Sequence, residues 1–148
     1  MKFEKTEVFN FEGALRGMRN PKNSWDRSDS RKEYEDHIGY SICKYIIGPN
    51  DMKCAQSLIK AGSVHRKFMR QIFIQTEIEA TVYEWLKMEN KFIDKSALPD
   101  NFETLREIKR IVSMNYEVAY STKHKYGSDY DEWLKTLPYA DELIFIGE

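Results

Sequence analysis

The stretch from Ile72 to Glu79 constrains the fold more than any other part of the chain. Ile72, Ile74, Thr76 and Ile78 alternate with Phe73, Gln75, Glu77 and Glu79, which are mostly polar. A period of two is that of a β-strand, whose successive side chains point to opposite faces. One face of this strand must cover a core, and the other turns to water or to a partner. Its surroundings are largely helical in period. Phe11, Ala14, Leu15 and Met18 recur at helical spacing over residues 10–19, with Asn10 as a cap and Asn20-Pro21 as the end. Gly48-Pro49-Asn50-Asp51 opens a second helix, capped by Asn50 or Asp51, with Met52, Ala55, Leu58 and Ile59 on one face and Gly62 as its stop. Val82, Trp85, Leu86 and Met88 or Glu89 return to helical spacing after the strand.

The remaining segments are read in the same way. Residues 3–9 are expected to form a short strand, and Tyr40–Ile47 a buried one. The polar stretch from Lys22 to Asp36 reads as a long surface loop. Asp94–Asp100, with Pro99, breaks the chain before the longest expected helix, Phe102 to about Lys123, lined by Leu105, Ile108, Ile111, Val112, Asn115 and Ala119. Asp129–Leu137 is a short helix ended by Pro138, and Leu143–Ile146 a last strand or a tail packed on the core. The expected fold class is α/β (α+β): a small antiparallel or mixed sheet packed by several helices, in a single domain spanning residues 1–148.

Composition narrows the function classes. Hydrophobic residues at 41% supply a core for a chain of 148 residues, so mainly disordered behaviour is not expected. A net charge of −1 argues against global attraction to nucleic acid or to a membrane, though not against a local patch. No apolar run approaches the roughly 20 residues that cross a bilayer. The N-terminus is too charged to lead a signal peptide, so a cytoplasmic protein, in the host cell's cytoplasm, is expected. Cys43 and Cys54 sit in apolar surroundings and read as buried free thiols.

No complete catalytic motif occurs. His37, His65 and His124 lie in no nucleophile frame, no glycine loop fits a phosphate, and no cysteine or histidine cluster has metal-ligand spacing. Catalytic and metal residues are therefore expected to be absent. His65, with Phe68 and Met69 at i+3 and i+4, reads by itself as a histidine that bonds a helix end. The most informative cluster is Arg16, Arg19, Lys22, Arg27 and Arg31, five cations within sixteen residues beside Trp25. Arginines there would grip phosphate with two hydrogen bonds, and the indole would stack on a base. The alternative is a solvated loop whose cations pair with Asp26, Asp29, Glu33 and Asp36. Arg66, Lys67 and Arg70 form a second basic group beside His65. The tyrosines of the C-terminal third read as core, or as a protein-binding face where they are exposed.

Two stretches resemble a family of phage and prophage proteins. One is Phe9-Asn10-Phe11-Glu12-Gly13-Ala14-Leu15-Arg16-Gly17-Met18-Arg19-Asn20-Pro21 with Ser24-Trp25 and Ser28-Asp29-Ser30. The other runs from Ile47-Gly48-Pro49-Asn50-Asp51 through Ala61-Gly62-Ser63-Val64-His65-Arg66 to Ile72. Longer members look like distant relatives of flavin-dependent thymidylate synthase, which implies a truncated version of that fold and a homo-oligomer. The synthases carry an arginine-rich motif after the helix that follows the strand, where this chain has Leu86-Lys87-Met88-Glu89-Asn90-Lys91-Phe92. Synthase chemistry depends on those cations, so the resemblance implies a scaffold without the activity and without a cofactor, FAD being the one to test. It implies a non-enzymatic interaction protein whose partner is a host protein or ribonucleoprotein, for example a defence nuclease such as a CRISPR effector. The alternative is a protein that retains nucleotide or flavin binding. Direct contact with nucleic acid stays open. The expected contact residues are Arg16, Arg19, Trp25, Arg27, Arg31, His65, Arg66 and Arg70.

Overall fold

A computed structural model describes residues 1–89 and 106–148. The alternating stretch is β4, Phe73–Thr81, the centre of a three-stranded antiparallel sheet. It lies between β1, Lys2–Phe9, and β5, Glu107–Asn115. Ile74, Thr76, Ile78 and Ala80 are buried, while Phe73 and Gln75 are exposed and Glu77 and Glu79 are half-buried. On the outer face Lys109 lies 3.9 Å from Glu4 and 3.8 Å from Glu77, so that side carries ion pairs beside the exposed Phe9, Phe73 and Ile111. β1 bulges opposite Thr76: the register slips between Glu4 and Glu7, and Lys5 takes a φ of 51°. The buried Thr76 hydroxyl is satisfied there, lying 2.8 Å from Thr6 Oγ1 and donating to Glu4 O at 3.1 Å.

β5 corrects one expectation. Residues 107–115 form a strand, and only α4, Tyr116–Thr122, is helical in the described part of the stretch Phe102–Lys123. Ile108, Arg110, Val112 and Met114 pair with Ala80, Ile78, Thr76 and Ile74 across the sheet. That alternation competes with the helical spacing, and the unpaired edge of β4 decides between them. Asn115, expected on a helix face, instead caps α4 by accepting from Val118 N at 2.9 Å. The expected break over Asp94–Asp100 lies outside the described residues, as do Asn90, Lys91 and Phe92.

The helices pack on the buried face of the sheet. α1 is Phe11–Gly17, α2 is Pro49–Lys60, and α5 is Ser128–Lys135. With α4 and the terminal turn Ala140–Ile144 they enclose Leu15, Ala55, Ile59, Met69, Tyr116, Leu134 and Leu143. Leu143–Phe145 is thus a tail packed on the core and not a strand. Burial pushes the Tyr116 phenol far up, and its hydroxyl donates to Pro138 O at 2.6 Å. α3, Val82–Glu89, starts on a capping box: Thr81 Oγ1 accepts from Glu84 N at 3.1 Å, and Glu84 Oε1 accepts from Thr81 N at 3.0 Å. Trp85 of α3 donates to Ile108 O at 2.9 Å and lies under Arg110, whose guanidinium is 5.1 Å from the ring.

The expected loop Lys22–Asp36 contains structure. It has two single 3-10 turns, Asn20–Lys22 and Trp25–Arg27, followed by strand β2, Arg31–His37. Among the described residues β2 pairs only with β3, Tyr40–Ile46, in an antiparallel ribbon. The expected burial of Tyr40–Ile47 is corrected as well. Every residue from Arg31 to Lys44 is exposed, Tyr45 and Ile46 are half-buried, and Ile47 is buried. Cys43 is accordingly exposed and free, and Cys54 is half-buried and free. No helix among the described residues is long and apolar enough to cross a membrane.

Candidate functional site

Arg19 leaves α1 pointing inward, 6% exposed, towards Asp51 in the first turn of α2, which is fully buried. Its Nε and Nη2 donate to Asp51 Oδ1 at 3.0 and 2.8 Å. The other carboxylate oxygen accepts from Ser28 Oγ at 2.8 Å, Ser30 Oγ at 2.5 Å and Ser30 N at 3.2 Å. Burial pushes the Asp51 carboxyl up, but the bonds from Ser30, Ser28 and Arg19 outweigh it and hold it below the ordinary range. Asp29 completes the anchor. Its carboxylate accepts from Asn50 N at 2.8 Å and Asp51 N at 2.9 Å, capping α2 from another part of the chain. The loop comes so close that a Cβ on Gly48 would lie 2.3 Å from Asp29 Cγ. Neither Asn50 nor Asp51 caps its own helix. The cap position is Gly48, with Pro49 following it.

This anchor forms the floor of a cavity of about 310 Å³ lined by Arg16, Arg19, Trp25, Arg31, Lys32 and Tyr45, with Glu12 and two serines. The Arg16 guanidinium makes no hydrogen bond or ion pair among the described residues. Arg31 pairs with Glu33 at 2.7 Å, and Lys32 with Glu12 at 2.7 Å. The hydrogen bond from Lys32 holds the Glu12 carboxyl below its ordinary range. Trp25 is half exposed, its ring fixed by Nε1 donating to Asn20 Oδ1 at 2.9 Å. Burial raises the Tyr45 phenol, which stays a neutral donor. The cavity shares Glu12, Lys32 and Tyr45 with a more apolar groove of about 690 Å³ running past Phe11, Cys43 and Tyr139. Both volumes fall in the range of small-ligand sites, about 300–1,000 Å³.

Four of the eight expected contact residues therefore meet in one cavity: Arg16, Arg19, Trp25 and Arg31. Arg19 is there as a wall already bonded to Asp51. Arg27 lines the neighbouring groove with Lys22 and Lys53. His65, Arg66 and Arg70 do not line the cavity. Arg66 is committed elsewhere, bonded to Glu117 at 2.8 Å and lying 4.5 Å over the Tyr120 ring. His65 sits in an exposed turn after α2, its backbone N–H donating to Gly62 O at 3.0 Å, and Arg70 is exposed. Among the described residues the alternative pairing scheme is met only at Arg31 and Glu33, since Asp29 caps α2 and Asp36 accepts from Ser41 at 2.6 Å. Sequence reasoning missed Lys32 and Tyr45, which face each other across the ribbon. The signal was Gly39, at φ 85°, between two seven-residue runs able to pair.

The third histidine builds a clasp away from the cavity. His124, at φ 65°, meets Asp131 through Nδ1 at 3.1 Å and Glu148 through Nε2, while Lys123 reaches Glu148 at 3.1 Å. The hydrogen bond to Glu148 chiefly raises the His124 pKa above 6.5, and that from His124 chiefly lowers Glu148 below 4.5. A raised histidine stabilises fully below 6.5 and loses the contribution as pH climbs through its folded value. A lowered carboxylate stabilises fully above 4.5 and loses the contribution as pH falls through its folded value. The clasp is thus expected to be strongest in mildly acidic solution. Thermal melts of His124→Asn, which keeps a residue tolerant of the left-handed backbone, should fall furthest below the parent there. A gap that stays constant into alkaline solution would reject the assignment.

No protein-family model matches the chain, and neither a curated protein nor a solved structure matches it.

Proposed function

We propose that the chain acts by binding and not by group transfer, with its contact site in the cleft between α1, the Trp25 loop and the β2–β3 ribbon. The chemistry that fits is a phosphate joined to a flat ring: a nucleotide, free or presented by a ribonucleoprotein. Arg16 carries the reading. Its guanidinium bonds no described side chain, although it lies near enough to help lower the Glu12 carboxyl, and it shares a cavity wall with Arg31 and Lys32. Such a group offers a bidentate grip on phosphate. Trp25 and Tyr45 supply faces on which a base can stack, a contact worth about 1–3 kcal/mol per base. The adjoining groove gives room for more than one ring system. The phage-type resemblance of residues 9–30 and 47–72 extends the proposal to a partner on the host side, a defence nuclease carrying RNA.

Titration calorimetry with deoxyuridylate, with FAD and with short single-stranded RNA separates the sources of the phosphate. At least one is expected to bind and to quench Trp25 fluorescence. Arg16→Ala should weaken that binding about tenfold or more, by loss of a charged hydrogen bond, while Arg70→Ala leaves it unchanged. Flat titrations with all three ligands would remove this reading.

A further inference from the structure

We propose that the outer edge of β3 pairs with β3 of a second copy of this chain, in an antiparallel register centred on Ile42, independently of any ligand in the cleft. The two edges of the ribbon are built differently. β2 presents Arg31, Lys32, Glu33, Glu35 and Asp36, the charges that keep an edge strand from pairing. β3 presents Tyr40, Ile42, Cys43 and Tyr45, with Lys44 as its single charged residue. Ile42 is 42% exposed and Tyr40 60%. A two-stranded ribbon exposed on both faces is marginal in water, whereas three or more strands sustain themselves.

Backbone directions fix which groups are on offer. The Tyr139 hydroxyl donates to Tyr45 O at 3.1 Å and accepts from Ile47 N at 3.1 Å, on the side of β3 away from β2. Strand alternation then turns the N–H and C=O of Ser41 and Cys43 to the same side. Among the described residues, Tyr139 alone bonds this edge. Two copies related by a two-fold axis at Ile42 set Ser41 opposite the partner's Cys43, exchanging both backbone bonds and leaving Tyr45 O and Ile47 N to Tyr139. Ile42 meets the partner's Ile42 in a close, non-bonded pair. Lys44 meets the ring of the partner's Tyr40 and no second cation. An edge with one cation and no acid is its own match only where that cation lands on an aromatic ring. The result is a continuous four-stranded sheet with the charged β2 strands outermost.

Sedimentation of the full chain is expected to give a dimer, and Ile42→Lys a monomer that still melts in one cooperative transition, self-association being weakened roughly tenfold or more. In a Cys54→Ala background, Ser41→Cys places a thiol opposite the partner's Cys43, so mild oxidation should give a reducible dimer that Cys43 alone does not give. A monomer throughout would overturn the pairing and leave the edge to an extended peptide of another protein. A dimer that Ile42→Lys leaves intact, or one that Ser41→Cys does not cross-link, would also overturn it. Where Ile42→Lys abolishes that transition, the cross-link alone decides.

Discussion

Asp51→Ala is expected to cost about 3–5 kcal/mol of stability, the toll of leaving one member of a buried ion pair without the other. Domains of this size hold only about 5–15 kcal/mol in total, so the variant should sit at the edge of folding. The carboxylate is fully buried and takes five hydrogen bonds, from Arg19 Nε and Nη2, Ser28 Oγ, Ser30 N and Ser30 Oγ. Alanine strands the buried guanidinium and frees residues 28–30 from the start of α2. The reverse deletion is predicted to be milder. In Arg19→Met, Asp51 keeps its three bonds from Ser28 and Ser30, and the methionine fills most of the arginine stem's volume. Urea unfolding of both variants checks the order. An Arg19→Met loss equal to or larger than that of Asp51→Ala would mean that the serines contribute little. Because the same anchor forms the cavity floor, Asp51→Ala should also abolish whatever ligand affinity the cleft has.

Trp133→Ala is expected to lower stability by a similar amount, about 3–5 kcal/mol for a large aromatic removed from a packed core. Trp133 is 6% exposed and stacks on Phe3 of β1 with ring centroids 4.5 Å apart and planes 7° from parallel. Its Nε1 donates to Thr6 Oγ1 at 3.0 Å, in the bulge that also satisfies Thr76. One side chain of α5 therefore holds the edge strand β1 by both packing and a hydrogen bond. Trp133→Phe separates the two, keeping most of the ring and losing only the donor, for about 1 kcal/mol. Hydrogen exchange should show β1 opening before β4 in the alanine variant. Equal protection of both strands, or a phenylalanine variant as unstable as the alanine one, would refute this account.

Signals confined to one element were legible in the sequence. β1, α1, α2, α5 and the buried face of β4 follow from hydrophobic spacing, and Gly62 at φ 116° ends α2 as its position implied. The α+β class followed from those elements. Two stretches separate in sequence, residues 19–30 and 48–51, are coupled: Arg19, Ser28, Asp29, Ser30, Gly48 and Asp51 form one hydrogen-bonded network. That coupling joins two segments about twenty to thirty positions apart, and neither segment alone indicates it.

What tertiary structure decided was every question settled by a distant partner. Residues 107–115 satisfy two periods, and the free edge of β4 selects the strand, because an unbonded backbone costs more than the exposure of Ile111, at 68%. Tyr40–Lys44 looked buried because it is apolar, yet among the described residues its only strand partner is β2. Arg16 and Arg19 look equivalent in a cation-rich run. One faces open space and the other a carboxylate 32 positions away, and only the folded chain sets which is which. Side-chain period is a local property written residue by residue. Pairing is a property of two places at once, fixed when the chain closes on itself.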